Sequence, residues 1–215
     1  MSESTEQPSS REAPSRHTAI ELRMMPFDSV VALYHELPAP RFEEMRGEFA
    51  ACLIDQGTTS AYWQAAFTVN MKGRWLCKAF EPTGPREGLG YNSFMTPRGI
   101  RRSGRMRTRL GPSKLPGDMK DAFHLEYADF NDFKRGGLGG ALVHTMFDEV
   151  RKAGPGLYLG IGRAGFTPKQ RAQLHPFLLE GPVAPYSSSE PRSRPHPRHE
   201  SIKRPSRNAR SRCSR

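Results

Sequence analysis

The sequence predicts a mainly β protein: an antiparallel meander of short strands closing into a barrel, with a short N-terminal helix and disordered ends. Two observations carry this. Apolar residues recur at period two in segment after segment from Arg74 onward. Turn clusters bound those segments: GPSKLPGD before residue 121, KRGGLGG after 133 and KAGPG after 151. Such regularly spaced short strands favour a sandwich or barrel over alternating strand-helix units.

Taken in order, residues 1–18 are rich in Ser, Glu and Pro and nearly devoid of apolar side chains, a composition that predicts disorder. Pro26 suits a first helical turn, and Phe27, Val30, Val31 and Tyr34 follow at helical spacing until Pro38 and Pro40. This helix is expected to plug or flank one end of the sheet. Phe42, Met45 and Phe49 fit a helix face, yet Gly47 followed by EFAACLI fits a first strand, so the division is placed near Gly47. Ser60 to Met71 is open between helix and strand, its β-branched end leaning to strand.

The centre of the pattern is Gly73 to Phe94, a hairpin whose turn holds Pro82, Gly84, Pro85 and Gly88. On its first arm Trp75, Cys77 and Ala79 alternate with Arg74, Leu76 and Lys78. From Ile100 to Leu110, Met106, Thr108 and Leu110 oppose Arg105, Arg107 and Arg109, which reads as an outer basic stripe unless one arginine enters the barrel to meet an anion. Phe123, Leu125 and Tyr127 then oppose His124 and Glu126. Leu142 to Val150 is read as a strand carrying Leu142, His144, Met146 and Val150 on one face, with Asp148 beside them. Gly156 to Gly162 is a strand in which Leu157, Leu159 and Ile161 share a face. Thr167 and Pro168 open a brief helix, and FLLEGP is the last strand.

The domain organisation that follows is a tail over 1–18, a barrel domain over 19–186 and a basic tail over 187–215. The net charge of +11 is concentrated in that last segment, where nine Lys/Arg against Glu190 and Glu200 leave +7. Its expected role, if any, is a weak, salt-sensitive contact with nucleic acid or an anionic surface. Cys52, Cys77 and Cys213 form no CxxC spacing and suggest neither a disulfide framework nor a zinc site. With no signal-peptide pattern and no apolar run of membrane-spanning length, a cytoplasmic protein is expected.

Enzyme signatures are missing: no Gly-x-Ser-x-Gly elbow, P-loop or HExxH is present. GIGRAG at Gly160 to Gly165 has dinucleotide-loop spacing, but Pro176 cuts short the helix that must follow, so it reads as a glycine-tolerant strand end. The candidate ligand-binding residues are Trp75, Tyr91, Asn92, Arg107, His144 and Asp148. Trp75 is core and ligand wall together, and Tyr91 and Asn92 follow the hairpin glycines at the barrel mouth. His144 and Asp148, read as sharing a strand face, would orient a ligand or act as acid and base, or His144 would hold a haem iron.

The segments GEFAA at Gly47, GRWLCKAF at Gly73, GYNSF at Gly90, RMRT at Arg105, GLYLGIG at Gly156 and FLLEGP at Phe177 together resemble uncharacterised bacterial proteins with a lipocalin-like (calycin) β-barrel, including those with a GxWxG-type repeat. The resemblance spans about Arg46 to Pro182. It implies an interior that holds a hydrophobic or amphipathic small molecule, and haem in one related group.

The expected function is therefore non-catalytic binding of a small apolar or amphipathic ligand, with Trp75, Met106, Phe123, Leu125, Met146 and Leu159 facing inward. The alternative is an isomerase, cyclase or hydratase acting on a lipid-like metabolite in the same barrel. No cofactor, metal or oligomeric state is assigned.

Overall fold

The computed structural model describes residues 17–188; the expectations for residues 1–16 and 189–215 lie outside the described residues. Eight antiparallel strands follow one another around a closed barrel: β1 (Gly47–Leu53), β2 (Arg74–Pro82), β3 (Glu87–Thr96), β4 (Gly99–Pro112), β5 (Asp121–Glu126), β6 (Phe147–Gly154), β7 (Leu157–Arg163) and β8 (His175–Ala184), which returns to pair with β1. Closure leaves no strand edge open.

Strand alternation divides the apolar residues between two cores. Inside the barrel, Phe49, Phe80, Met106, Phe123, Leu125, Tyr158 and Leu179 pack together, joined at one end by Phe42 of a short 3-10 turn, Phe42–Glu44, and by Met45 directly after it. Phe80 meets Phe123 edge-on at 5.3 Å and Phe49 lies 5.5 Å from Phe80, so this end is filled solid.

The second core lies on the outer wall. Helix α1 (Ala19–Met24) starts from a Thr18–Glu21 capping box, and α2 (Phe27–Glu36) turns Val30 and Tyr34 inward. With Leu22 and Leu37 they cover Leu157, Leu159, Ile161 and Leu178. The N-terminal helix thus covers the wall and plugs neither end. Leu159, expected inside, faces out, because in β7 the inward positions are Tyr158, Gly160 and Gly162. Arg151, fully buried, fixes this layer by donating to the Tyr34 carbonyl at 3.0 Å and to Asp118 at 2.8 Å.

Two segments read as strand or leaning to strand are helices. Helix α3 (Thr59–Asn70) is capped by the Thr58 hydroxyl, which accepts from Ala61 N at 3.1 Å, and it buries Ala61 and Ala65 at four-residue spacing. The helical period outweighs the β-branched end. Helix α4 (Phe133–His144) occupies KRGGLGG and the first residues of the expected strand. It bends at Gly136 and Gly137, the latter at φ 57, and only at Phe147 does β6 begin. Helix α5 (Pro168–Ala172) is the short element capped by Thr167.

A polar cluster at the floor of a half-open barrel

The end of the barrel opposite the 3-10 turn holds a cavity of about 260 Å³. Its walls are apolar: Leu53 of β1, Trp75 of β2, Phe94 of β3, Met146 before β6, and Phe177 of β8. Helices α3 and α4 roof it with Val69, Leu142 and Val143. Its floor is a set of buried polar side chains.

Lys78 stands at the centre of that floor. Strict alternation from Trp75 would send it outward, but the register shifts between Trp75 and Cys77, and the bulge turns Lys78 and Phe80 into the barrel. Its ammonium donates to Asp148 Oδ2 at 2.7 Å, to the Tyr127 hydroxyl at 2.6 Å and to Asn92 Oδ1 at 3.3 Å. The rings of Phe177, Trp75 and Tyr127 surround it at 5.0–5.3 Å. Lys78 and Asp148 are each 3% exposed, so the pair is removed from water and depends on these partners.

The remaining contacts orient the pair. Tyr127 donates to Asp148 Oδ2 at 2.8 Å; burial, with the Asp148 charge beside it, pushes its phenol well above the ordinary value, so it stays protonated and donating. Asn92 is held by donating to the Gly104 carbonyl, and its Oδ1 also accepts from Trp75 Nε1 at 3.2 Å.

Glycines 160 and 162 explain the GIGRAG pattern. They are a side-chain-free strip on the inner face of β7. A Cβ at Gly160 would fall inside the Phe177 ring, and one at Gly162 would lie 2.9 Å from Asp148 Oδ1. Phe177 leans onto the strip from β8 and Asp148 from β6. Gly162 is the register partner of both Asp148 and His175, so all three share the inner face.

His175 completes the floor. Gln56 donates its amide to the Ile54 and Pro176 carbonyls, leaving Gln56 Oε1 to accept from His175 Nδ1 at 3.0 Å. That fixes the tautomer with Nε2 as an acceptor at the cavity. Burial lowers the His175 pKa, against the Asp148 charge that raises it, and the ring is neutral near pH 7.

The six residues expected at the site separate into two groups. Trp75, Asn92 and Asp148 line the cavity. Tyr91 points outward, donating to Glu48 at 2.7 Å and accepting from Ser187 N, because it shares the outer face with Ala79 and Glu48. Arg107 is on the outer stripe, paired with Asp129 at 2.9 Å. His144 is the last residue of α4, not a strand residue, and its Nδ1 meets the Asn131 carbonyl at 2.7 Å. It therefore shares no face with Asp148 and does not line the cavity. Sequence reasoning missed Lys78, Tyr127 and His175 as site residues. A lysine inside the apolar run WLCKAF and the alternate glycines of YLGIG were the available signals.

The fold class is that of an eight-stranded, closed antiparallel β-barrel with one end filled and the other roofed by helices. No protein-family model matches the chain, and no curated relative matches it. Among solved structures, the crystal structure of a protein from Thermomonospora curvata is similar to it: 18% identity over 73% of this chain and 87% of that one, with a TM-score of 0.45. Among the described residues, no group of three or more His, Cys, Asp or Glu side chains is placed to hold a metal ion, and no helix is long and apolar enough to cross a membrane.

Proposed function

We propose that the protein is a lipocalin-like binding barrel for a small amphipathic molecule whose polar head donates hydrogen bonds. The observation that carries this is the cavity itself, with walls mainly of apolar side chains, a buried polar cluster at its floor, and Gln64, Thr68, Lys72, Arg163 and Gln170 also lining it. All three ammonium protons of Lys78 are already taken, by Asn92, Tyr127 and Asp148. What the floor offers a guest is acceptors: Asp148 Oδ1, which accepts no bond among the described residues, and His175 Nε2. An alcohol, phenol or amine head satisfies them, whereas a carboxylate brings lone pairs against lone pairs.

The test is native mass spectrometry of the full chain purified gently from its expressing cell, followed by titration with dodecanol and dodecanoate read through tryptophan fluorescence. Dodecanol is expected to bind at least tenfold more tightly. Met146→Trp, which fills the cavity without touching the floor, is expected to abolish binding while leaving the fold intact. Equal affinity for the two ligands would overturn the donor head; binding unchanged by Met146→Trp would overturn the site.

A second reading is favoured by one observation, the half-buried His175 at the cavity, whose Nδ1 is engaged by Gln56 and whose pKa is lowered, so that Nε2 is the free base position. Such a group abstracts a proton from a bound substrate, making the barrel an isomerase or hydratase. His175→Gln, which keeps an amide oxygen as acceptor but no base, separates the two readings: a carrier retains binding with no reaction to lose, whereas an enzyme retains binding and loses turnover.

A further inference from the structure

We propose that the mouth of the barrel docks on an anionic lipid surface through the outer face of α3. This helix, TSAYWQAAFTVN, has no charged residue. Ala65 and Val69 turn toward the cavity, while Tyr62, Trp63 and Phe67 turn away from it. Trp63 is 67% exposed and Phe67 72% exposed; they lie four residues apart on one face, and the Tyr62 ring stands edge-on to Trp63 at 5.9 Å. A helix apolar on both faces is ordinarily covered on both. Phe166, which lines the same cavity, is also exposed and extends the aromatic face into a collar, and Leu138 of α4 is exposed as well.

Charge identifies what covers the collar. Residues 58–74, α4 and residues 163–174 contain no Asp or Glu, yet they carry Lys72, Arg74, Lys134, Arg163, Lys169 and Arg171. Of the carboxylates in the loops leading to them, Asp55 accepts from Phe27 N and Gly57 N, Asp129 pairs with Arg107, and Asp132, directly before α4, is also engaged. A second copy of this chain would oppose like charge with like. A bilayer with anionic headgroups takes the cations at its surface and the Trp, Tyr and Phe rings at its interface.

The test uses the full chain with phosphatidylcholine vesicles, with and without phosphatidylglycerol, read by co-sedimentation and by quenching of tryptophan with brominated lipid. Binding to the anionic vesicles alone is expected, with a quenched tryptophan signal that disappears in Trp63→Ser. The Trp63→Ser/Phe67→Ser variant is expected to lower the partition on the order of tenfold or more. Lys169→Glu/Arg171→Glu is expected to lower it about fivefold per charge. Thermal melts of both variants, expected to match the wild type, check that they fold. A wild-type partition for Trp63→Ser/Phe67→Ser would overturn the proposal and assign binding to the basic C-terminal residues. Failure to bind either vesicle would likewise overturn it, and displacement from anionic vesicles by single-stranded RNA would do so by assigning the contact to the basic residues alone.

Discussion

Lys78 of β2 and Asp148 of β6 meet at 2.7 Å across the inside of the barrel, each almost without solvent. Strands that are not neighbours are thereby joined through the interior. The charges are tolerable there because a phenol, an amide and three aromatic rings replace the water each has lost.

Removing one member leaves the other buried and uncompensated. Lys78→Met is expected to destabilise the protein by about 3–5 kcal/mol, measured by urea unfolding. The double variant Lys78→Met/Asp148→Leu replaces both charges with apolar groups and should lose much less than the sum of the single variants. Strict additivity would show that the pair makes no coupled contribution.

The glycine strip predicts an asymmetry between neighbouring substitutions. Gly160→Ala places a methyl in the Phe177 ring, which cannot move without disturbing Trp75, 6.0 Å away; a loss of about 1–3 kcal/mol is expected. Gly162→Ala presses on a carboxylate oxygen instead. Its main effect should be on ligand affinity, with a smaller shift in melting temperature. Equal stability losses at both positions would argue against the leaning geometry of Phe177 and Asp148.

How far the sequence exposes this arrangement depends on the residue. Period-two alternation is a direct consequence of a wall with one apolar face, so Met106, Phe123 and Leu125 inside were legible, and so was a basic stripe on β4, although Arg107 of that stripe was assigned to the site. Lys78 was not, because one bulge residue reverses every orientation after it and leaves no mark in the hydrophobic pattern. Leu159 was misplaced because β7 is covered on both sides, and its two faces then look equally apolar. The helical state of residues 133–144 was hidden by four glycines, which signal a turn in isolation and are held here as a kinked helix. His144 was assigned to the site through that error. His175 escaped notice because the register that brings it beside Asp148 runs through two successive strand pairings, which the hydrophobic pattern does not fix.

Two histidines, the buried His124 and the half-buried His175, set the response to mild acid. Burial lowers the pKa of both His124 and His175 from the ordinary 6.5, in each case against a nearby carboxylate that raises it. A histidine held neutral in the fold stabilises it fully above about pH 6.5, and that contribution is lost as pH falls toward the folded-state value. Melting temperature should therefore drop between pH 7.5 and 5.5, and the drop should shrink in His124→Gln/His175→Gln. An equal drop in that variant would place the titrating groups elsewhere.

A second acid transition belongs to the outer layer. Burial pushes the Asp118 carboxyl up, but hydrogen bonds from Arg151, His35 and the Lys120 backbone outweigh it and hold the pKa at about 2, below the ordinary 3.8. The stabilisation is complete above 3.8 and is lost as pH falls through about 2. Asp118 and Arg151 together tie the loop before β5 to the end of α2, where Arg151 also donates to the Tyr34 and His35 carbonyls. Arg151→Met removes that attachment and strands the carboxylate, so a loss of about 3–5 kcal/mol is expected. In hydrogen exchange, the amides of α1 and α2 should lose protection in Arg151→Met before those of β2 and β3, since the interior core around Phe49, Phe80 and Phe123 does not involve either helix. Simultaneous loss of protection in both groups would mean that the outer layer and the barrel unfold as one unit.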